Sequence, residues 1–560
     1  MSEKGLVKIL VVVLIVSAVL GLFFCFYPKM SGIIGHAVRG LDIDSGPLGD
    51  SSKPKNVILI TLDTVRADHV HFLGYERETT PFLDKFSKDA VVFEQAHCVL
   101  PLTTPSHTAM MTGFYPIENK VRKNAMRTDA ELLSQTLSRN GYNTSAFVSS
   151  KIVNPLNKGF NVFNFKAENG YEDNDTSDNA ELTLDKARLN RRNGDNTLAE
   201  FKEWIASANT SQPNFIWVHF YDAHSPYISE YKGYFGANMS YDAALGIVKK
   251  NQNGANSQNR GKAIQNNISM QSWESAQDQI LKLYDGGVYS VDKYAEEVIK
   301  ELDNRGMLDN AIVIIASDHG ENLGERNDYF HGKDVYDATT RVPLLIKIPG
   351  IRPKRISQDI SLVSITPTIL DYLGIKPEQN LTGESLIPLM RGKEEETYAI
   401  IESDLISSRL GPKSARANQS NITNIDEESG LVKNVDRIVM CLKQDNRCSD
   451  PSIRGRNIAV VKDHKKLIYA GGLSVEFYDL AEDPVEAHNI YQIKGSSENE
   501  ILLDDWIIDN ANVSGRARAA RGVQNRNGTM PISSIQKGNS SNKMIDEEAL
   551  KALKSLGYVG

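Results

Sequence analysis

The sequence predicts an α/β fold in which a mostly parallel central sheet is flanked by helices and followed by a smaller antiparallel sheet. Three apolar runs, at residues 56–62, 214–218 and 311–316, are typical of strands buried on both faces. Strand-like and helical runs alternate over residues 56–165, which favours parallel strands joined by crossover helices. Residues 457–480 instead contain short alternating runs, and this composition indicates a small antiparallel sheet.

Residues 1–30 are predicted to form a transmembrane signal-anchor. Residues 9–27 are almost wholly apolar and follow Lys4 and Lys8, and about 20 apolar residues are enough to cross a bilayer. A long, cleaved signal peptide is the alternative. Either segment would place the rest of the chain outside the cytoplasm, in a periplasmic or extracellular space. Residues 31–55 would then be a tether.

Residues 56–400 are expected to form the main domain. Polar stretches at 166–196 and 232–275 predict insertions over its surface. Beyond the three apolar strands, the predicted elements are a helix near Pro81–Phe86, a helix near 129–140, a strand at 142–149, a helix at 276–305, a strand at 342–349 and a helix at 364–373.

Residues 401–511 are predicted to form a smaller α+β subdomain that contains the antiparallel sheet. Cys441 and Cys448 lie close together within it, and they could form a disulfide in an oxidising compartment or remain two free thiols. Residues 512–560 are expected to be a mobile tail, because their first part is rich in Asn, Arg, Ser and Gly, with a terminal helix at 546–556.

The overall charge argues against a nucleic-acid partner. The 560-residue chain carries a net charge of −8 and has no basic stripe interleaved with aromatic side chains. Its length is sufficient for one large domain and a smaller one.

Polar side chains follow the three apolar strands directly. Asp63 follows the first strand, Asp222 and His224 lie just after the second, and Asp318 and His319 follow the third. In an open α/β sheet the ligand site lies beyond the carboxyl ends of the strands, so these side chains are expected to meet. Carboxylates with an imidazole are ligands for a divalent cation, and the pattern predicts a metal-dependent hydrolase.

A Thr-Thr-Pro-Ser-His turn lies between the first two strands. Thr104 is a suitable N-cap and Pro105 a suitable first helical residue, which would place Thr103 just ahead of a helix N-terminus. Free N–H groups there stabilise an anion, so a hydroxyl beside a metal ion could attack an anionic ester. An ordinary N-capped helix is the alternative interpretation.

Several segments resemble the sulfatase family, in the family's order, over residues 56–560. The resemblance implies an alkaline-phosphatase-like fold. The matching segments are Ile60-Thr61-Leu62-Asp63-Thr64-Val65-Arg66-Ala67-Asp68, the turn at 103–107 with Thr112-Gly113-Phe114-Tyr115-Pro116, Tyr221-Asp222-Ala223-His224-Ser225-Pro226-Tyr227, Ser317-Asp318-His319-Gly320-Glu321, His331-Gly332-Lys333, Tyr478-Asp479-Leu480-Ala481-Glu482-Asp483-Pro484 and Leu553-Lys554-Ser555-Leu556-Gly557-Tyr558.

The resemblance implies a cation site and its ligands. Asp63, Asp318 and His319 would ligate one divalent cation, with Thr103 completing the site. The bias toward oxygen ligands suits Ca²⁺, Mg²⁺ or Mn²⁺.

The resemblance also implies how an anionic ester would be held. His224 would bind the substrate anion or protonate the leaving group, and Lys333 with His331 would bind anionic oxygens. Asp222, His224 and His331 could alternatively hold a second cation. The ammonium group of Lys333 can replace that cation, so a single metal is expected.

The turn departs from the family pattern at the residue that carries the chemistry. Sulfate-ester hydrolases of the family have Cys or Ser where this chain has Thr103, because that residue is oxidised to formylglycine. Threonine cannot yield that aldehyde, so no formylglycine is expected. The family's following arginine is His107 here, and Lys120 and Arg122 keep positive charge where a His-Gly pair is usual. His107, Lys120, Arg122 and Asp222 are therefore predicted to bind substrate.

These observations predict a hydrolase of sulfate or related phosphate esters that uses Thr103 beside one cation. A phosphodiesterase or phospho-head-group transferase with the same residues is the alternative, since attack by water on a threonine ester is easier at phosphorus than at sulfur. A catalytically degenerate binding domain is a further alternative. The expected partner is a small sulfated or phosphorylated ester, with the membrane contacted through the N-terminal segment.

Overall fold

In a computed structural model, residues 55–165, 191–227, 229–256, 270–404, 456–470 and 474–490 are described. The predicted N-terminal anchor, the Cys441 and Cys448 pair and the predicted tail lie outside these residues. Within them, no helix is both long enough and apolar enough to cross a membrane.

The described strands lie close to the predicted positions. In chain order they are β1 (Asn56–Leu62), β2 (Val91–His97), β3 (Asn143–Val148), β4 (Val162–Asn164), β5 (Asn214–Phe220), β6 (Ala311–Ser317), β7 (Asn322–Leu323), β8 (Tyr329–Phe330), β9 (Arg341–Lys347), β10 (Lys354–Ser361), β11 (Ala399–Asp404), β12 (Arg456–Lys462), β13 (Lys465–Ala470) and β14 (Ser474–Asp479).

The helices vary widely in length. In chain order they are α1 (Pro81–Phe86), α2 (Thr103–Thr112), α3 (Pro116–Asn119), α4 (Leu133–Arg139), α5 (Gly194–Ser207), α6 (Tyr241–Asn256), α7 (Met270–Asn304), α8 (Asp337–Thr340), α9 (Ile365–Leu373) and α10 (Ile387–Met390). Short 3₁₀ helices are Ala67–His69, His71–Leu73, Ser87–Asp89, Lys151–Leu156, Glu230–Gly233, Glu325–Asn327 and Leu362–Ser364.

The described strands form the predicted mostly parallel sheet. It has eight strands in the order β10-β2-β9-β6-β1-β5-β3-β4. β9 runs antiparallel to both of its neighbours, and every other neighbouring pair is parallel. The prediction of a mostly parallel central sheet is therefore confirmed.

Helices cover both faces of this sheet, because alternate side chains of each strand point to opposite faces. Ile58, Ile60 and Leu62 of β1 pack in one core with α5, α6 and α7. Val57 and Leu59 pack in a second core with α2, α4 and α9. The fully apolar run of β1 follows from this two-sided burial.

The predicted C-terminal antiparallel sheet is also confirmed. β11, β12, β13 and β14 form a four-stranded meander in chain order. Lys466 of β13 is fully buried, and its Nζ donates to Asp337 Oδ1 at 2.7 Å and lies 2.9 Å from Glu486 Oε1. Burial alone would lower the pKa of Lys466, but these two carboxylates raise it. This charged group joins the small sheet to α8.

One predicted surface insertion contains a helix of the core. Residues 232–275 were expected to lie over the surface because they are polar, yet α6 lies within them. Tyr241, Ala244, Leu245 and Val248 are buried and belong to the core on the α7 side of the sheet. Their i, i+3, i+4, i+7 spacing is the apolar stripe of an amphipathic helix.

Candidate active site

Three neighbouring strands end at one edge of the central sheet, and each brings a polar side chain there. Asp63 follows β1, Asp318 follows β6, and His219 is the next-to-last residue of β5. The register pairs Thr61 of β1 with His219 of β5, and β1 also pairs in parallel with β6. The side chains therefore meet at the edge where parallel sheets carry their ligand sites.

Asp63 and Asp318 form a buried carboxylate pair. Asp318 Oδ1 accepts the N–H groups of Thr64 at 3.1 Å and His319 at 2.9 Å, whereas Asp318 Oδ2 has no hydrogen-bond partner. Both carboxylate oxygens of Asp63 are also buried without a partner. One ligand atom from each of Asp63, Asp318 and His319 lies within 4.8 Å of the others. Unpaired buried oxygens are costly, so this donor set fits a divalent cation.

The pKa values of the two carboxyls move in opposite directions. Burial, together with the charges of Asp318 and Glu321, raises the pKa of Asp63 well above its usual value. Burial alone would also raise the pKa of Asp318, but His319 and His107 lower it, as do His219 and a backbone N–H group. Of the two carboxyls, Asp63 is therefore the one that binds a proton more readily when nothing offsets the charge of the pair. A bound cation would displace that proton.

Thr103 is the first residue of α2, and this differs from the prediction. Leu102 is the N-cap, not Thr104. The Thr104 hydroxyl instead donates to the carbonyl oxygen of Ile152 at 2.7 Å. The Thr104 N–H donates to Asn124 Oδ1 at 3.0 Å, so a side chain 20 residues downstream satisfies this helix N-terminus.

The Thr103 hydroxyl lies beside the carboxylate pair. Its Oγ1 is 3.4 Å from Nε2 of His319, whose Nδ1 donates to the Gly320 carbonyl oxygen at 2.9 Å. Burial lowers the pKa of His319 to about 4, so the neutral ring presents an unprotonated Nε2. The Ser106 hydroxyl donates to the Asp318 carbonyl oxygen at 2.7 Å and holds α2 against the end of β6.

His107 and His219 lie beneath the site and are fully buried. His107 Nδ1 donates to the Thr103 carbonyl oxygen at 2.8 Å, and its Nε2 is 3.1 Å from Thr61 Oγ1. Both ring nitrogens are therefore occupied, which corrects the prediction that His107 contacts substrate. Nε2 of His219 has no hydrogen-bond partner and lies 3.6 Å from Asp63 Oδ2. Burial lowers the pKa of His107, and it lowers that of His219 to about 3.

A second group of potential ligands comprises His224, Glu321 and His331, whose ligand atoms lie within 4.8 Å of one another. Glu321 Oε1 accepts from His331 Nδ1 at 3.0 Å, and Oε2 accepts from the Tyr227 hydroxyl at 2.5 Å. His224 Nδ1 donates to the Ser225 carbonyl oxygen at 2.6 Å. Each histidine therefore has Nε2 available for a ligand or a proton. Burial and the neighbouring His331 lower the pKa of His224 well below its usual value.

The two groups are connected through contacts between histidine rings. The ring centroid of His331 is 4.4 Å from that of His319 and 5.0 Å from that of His224. From the sequence, Asp222, His224 and His331 are possible ligands of a second cation, but the carboxylate beside the two histidines is that of Glu321. Asp222 Oδ1 instead accepts a backbone N–H at 3.2 Å, and burial raises the pKa of Asp222 to about 6. The position of Glu321, two residues after His319, was the available signal for it.

Lys333 lies in the loop that passes beside α2. Its Nζ donates to Asp328 Oδ1 at 3.1 Å, and its side chain is about a third exposed. A Cβ on the preceding Gly332 would come within 2.8 Å of the Leu102 side chain. The loop that carries His331 and Lys333 therefore packs directly against the residue before Thr103.

Two other positively charged side chains that were predicted to bind substrate are placed differently. Arg122 forms a salt bridge with Glu402 of β11, so its charge is used between the main domain and the small sheet. Lys120 is exposed and is the C-cap of α3 in a left-handed conformation. Neither residue belongs to the two groups of potential ligands just described.

The family profile described as Sulfatase matches residues 55–375, which is more than half of the chain. The chain belongs to the sulfatase family. Its strand-end carboxylates and the turn at Thr103 lie within the matched region, and sulfatase-family membership makes the protein a hydrolase of ester bonds.

Sequence relatives within the family are distant but extensive. Arylsulfatase K of Gallus gallus is 24% identical over 470 residues, which cover 79% of this chain and 80% of the relative. An ulvan-active sulfatase of Formosa agariphila is 25% identical over 370 residues, which cover 62% of this chain and 67% of the relative.

Solved structures show the same fold. The phosphonate monoester hydrolase of Agrobacterium radiobacter superposes with a TM-score of 0.57 at 20% identity, covering 82% of this chain and 96% of that one. A protein solved in complex with its substrate D-glucosamine-2-N,6-O-disulfate has a TM-score of 0.55 at 16% identity, covering 83% of this chain and 98% of that one. At these identities the likeness supports the fold alone.

Proposed function

We propose that this sulfatase-family protein hydrolyses sulfate or phosphate-type esters through Thr103, beside one divalent cation held by Asp63, Asp318 and His319. The observation that carries the proposal is the set of buried, unpaired carboxylate oxygens next to the Thr103 hydroxyl. The names of the relatives include both sulfatases and a phosphonate monoester hydrolase, which supports an anionic tetrahedral ester as the substrate class.

The side chains fit this chemistry without a modified residue. A bound Ca²⁺, Mg²⁺ or Mn²⁺ would lower the pKa of the Thr103 hydroxyl and offset the negative charge of the ester. Thr103 lies at the first position of a ten-residue helix, where the helix dipole also favours an anion. We expect an unmodified threonine there, and mass spectrometry of the peptide that contains Thr103 would test this.

The reaction requires two displacements. The Thr103 hydroxyl loses its proton to solvent, its oxygen attacks the sulfur or phosphorus atom, the bond to the leaving alcohol breaks, and the alcohol oxygen takes a proton from Nε2 of His331. Glu321 Oε1 accepts from Nδ1 of His331 at 3.0 Å and would fix the orientation of that ring. Water then attacks the Thr103 ester and gives one proton back to His331, the inorganic anion keeps the water oxygen, and the released Thr103 oxygen takes a proton from solvent to restore the hydroxyl. Lys333, beside the turn, would attract the anionic oxygens.

The nucleophile is tested with an isosteric pair of variants. In the full-length protein with Mn²⁺, Mg²⁺ or Ca²⁺, Thr103→Val should lower turnover by at least roughly 10³-fold, because it removes only the attacking hydroxyl. Thr108→Val is the matched control. Thr108 is a buried threonine of the same helix whose hydroxyl donates to the Thr104 carbonyl oxygen at 2.7 Å. It should retain most of the activity.

The substrate panel separates the remaining alternatives. It comprises p-nitrophenyl sulfate, p-nitrophenyl phosphate and bis-p-nitrophenyl phosphate. Turnover of the sulfate would support sulfatase activity, and preference for the diester would support a phosphodiesterase or a transferase. Cation binding without turnover of any ester would indicate a degenerate binding domain. Full activity of Thr103→Val would show that Thr103 is not the nucleophile.

We also propose that residues 9–27 anchor the protein in a membrane with the catalytic domain outside the cytoplasm. The apolar run and its flanking lysines support this. Resistance of the membrane-bound protein to alkaline extraction would be the expected result, together with cleavage by protease added outside the inner or plasma membrane, after permeabilisation of any outer membrane.

A further inference from the structure

His219 presents a buried nitrogen to the carboxylate pair without bonding to it. Its Nε2 has no hydrogen-bond partner and lies 3.6 Å from Asp63 Oδ2, which also has none. This separation is too long for a hydrogen bond. Two atoms that each lie about 2.0–2.3 Å from one cation are separated by roughly 3–4 Å, so the distance suits shared ligands.

The protonation of this nitrogen follows from the partners of the Thr61 hydroxyl. Thr61 Oγ1 lies 2.9 Å from Trp217 Nε1, 3.1 Å from His107 Nε2 and 3.1 Å from His219 Nδ1. A hydroxyl has one hydrogen and two lone pairs, and the indole N–H can only donate, so it occupies one lone pair.

His107 determines where the Thr61 hydrogen points. His107 Nδ1 faces the Thr103 carbonyl oxygen at 2.8 Å, and a carbonyl oxygen only accepts, so Nδ1 carries a proton. In the neutral ring Nε2 is then unprotonated and accepts the Thr61 hydrogen. One lone pair of Thr61 remains, and His219 must donate to it from Nδ1.

We propose that His219 is a further ligand of the cation, through an unprotonated Nε2 whose tautomer is fixed by Thr61 and His107. The inference rests on the proposed cation site, to which it adds a ligand from β5. It also gives His107 a role as a positioning residue, since its ring links the Thr103 backbone to the Thr61 hydroxyl.

The added nitrogen changes the cation that the site prefers. With His219 and His319 the donor set contains two imidazole nitrogens beside the two carboxylates. Imidazole ligands suit Zn²⁺ and the later divalent transition metals such as Co²⁺ better than Ca²⁺, which prefers oxygen. We therefore expect the protein to bind Co²⁺ more tightly than Ca²⁺.

The test uses full-length protein stripped of metal by a chelator and titrated with Co²⁺ alone. Binding is followed by calorimetry and by the visible absorption of the bound Co²⁺, which reports the donor atoms. His219→Ala should weaken Co²⁺ binding by more than about 10-fold and shift the absorption band. Thr61→Val should weaken it by about 10–100-fold, as expected for loss of a group that orients a ligand, and Thr61→Ser should bind like the wild type.

His97→Ala is the matched control for loss of a buried imidazole. His97 lies on β2, is fully buried and is paired with Asp359 at 3.2 Å. Its loss should leave the Co²⁺ affinity and spectrum unchanged. If His219→Ala does not fold, the contrast between Thr61→Val and Thr61→Ser still decides, because neither removes a ligand.

The outcomes separate this inference from the proposed function. A wild-type spectrum and affinity in His219→Ala would overturn the ligand assignment, while ester hydrolysis through Asp63, Asp318 and His319 could still stand. A shifted spectrum in a protein that hydrolyses no ester would support the ligand and overturn the proposed function. A wild-type protein that binds no divalent cation would overturn both.

Discussion

Several side chains at the sheet edge share one arrangement. One polar atom is held by hydrogen bonds within the protein, and another polar atom of the same side chain is left available. Asp318 uses Oδ1 for two backbone N–H groups and leaves Oδ2 unpaired. His319 and His331 each use Nδ1 and leave Nε2 available. Fixed partners of this kind set the orientation and tautomer of a ligand before it binds, so less conformational entropy is lost on binding.

Glu321 is expected to act through His331. Glu321→Gln should lower kcat/KM by about 10–100-fold, because His331 and Tyr227 donate to different oxygens of Glu321, and one of these becomes an NH₂ group that cannot accept. Cation affinity should change little, since Glu321 is not among the proposed ligands, and kinetics together with calorimetry would separate the two quantities. Tyr227→Phe is the matched control and should have the smaller effect. Equal losses of kcat/KM and of cation affinity would indicate a merely structural role.

The sequence predicted some of these residues and not others, for a physical reason. Asp63, Asp318 and His319 follow apolar strands directly, so the fold class alone places them at one edge. Glu321 and Thr61 matter through hydrogen bonds to residues distant in the chain, and no local pattern records those partners. His107 was assigned to substrate for the same reason, because its contact with Thr61 is invisible in sequence.

Local sequence also predicted long elements better than their ends. The apolar runs of β1, β5 and β6 are buried over their whole length, and the composition of such runs is unambiguous. The start of α2 was misplaced because Asn124, from another segment, caps it. The Asn- and Gly-rich composition of 232–275 concealed the apolar stripe of α6. Element ends and caps depend on tertiary partners that the local sequence does not record, whereas the apolar run of a buried strand can be recognised in the local sequence.

Gly287 of α7 lies against the loop after β5, and its substitution tests how closely the helix and the loop pack. A Cβ on Gly287 would lie 2.6 Å from the Asp222 carbonyl oxygen, so the helix must shift if that atom is added. Gly287→Ala should lower the free energy of unfolding by about 1–3 kcal/mol and reduce activity, because the same loop carries His224. Denaturant unfolding measures the first effect.

Gly246 of α6 provides the control for this substitution. A Cβ there meets nothing within 4 Å. Gly246→Ala should stabilise the protein by up to about 1 kcal/mol through helix propensity. Equal stability of the two variants would show that the contact between α7 and the loop is not tight.

At the scale of the whole molecule, the small sheet packs against the helix that carries Thr103. Ala109 of α2 packs in one apolar cluster with Ile400 of β11, Val460 of β12 and Phe477 of β14. The Glu402 N–H also donates to the Val99 carbonyl oxygen at 2.8 Å, just before the turn. The small sheet, predicted as a separate subdomain, thus packs against the helix that begins at Thr103 and against the segment before it.

Substitution of Lys466 tests how much the contact between the small sheet and the main domain contributes to stability. It is fully buried against Asp337 and Glu486, and removing one partner of a buried ion pair leaves uncompensated charge. Lys466→Ala should therefore lower the free energy of unfolding by about 3–5 kcal/mol. Lys465→Ala is the adjacent control, and it should change stability by less than about 0.5 kcal/mol, because Lys465 is partly exposed and 3.5 Å from Asp479.

The pH dependence of the Lys466 variant identifies the cause of its instability. Burial raises the pKa of Glu486 to about 7 even beside Lys466, and the lysine opposes that rise. Without the lysine, the raised pKa lets the carboxyl take up a proton at higher pH, which neutralises the buried charge. The deficit of Lys466→Ala relative to wild type should therefore grow as pH rises above about 7, and it should shrink as pH falls back toward about 7, where Glu486 also becomes protonated in the wild type. A deficit that does not change with pH would mean that lost packing, and not unpaired charge, destabilises the junction between the two sheets.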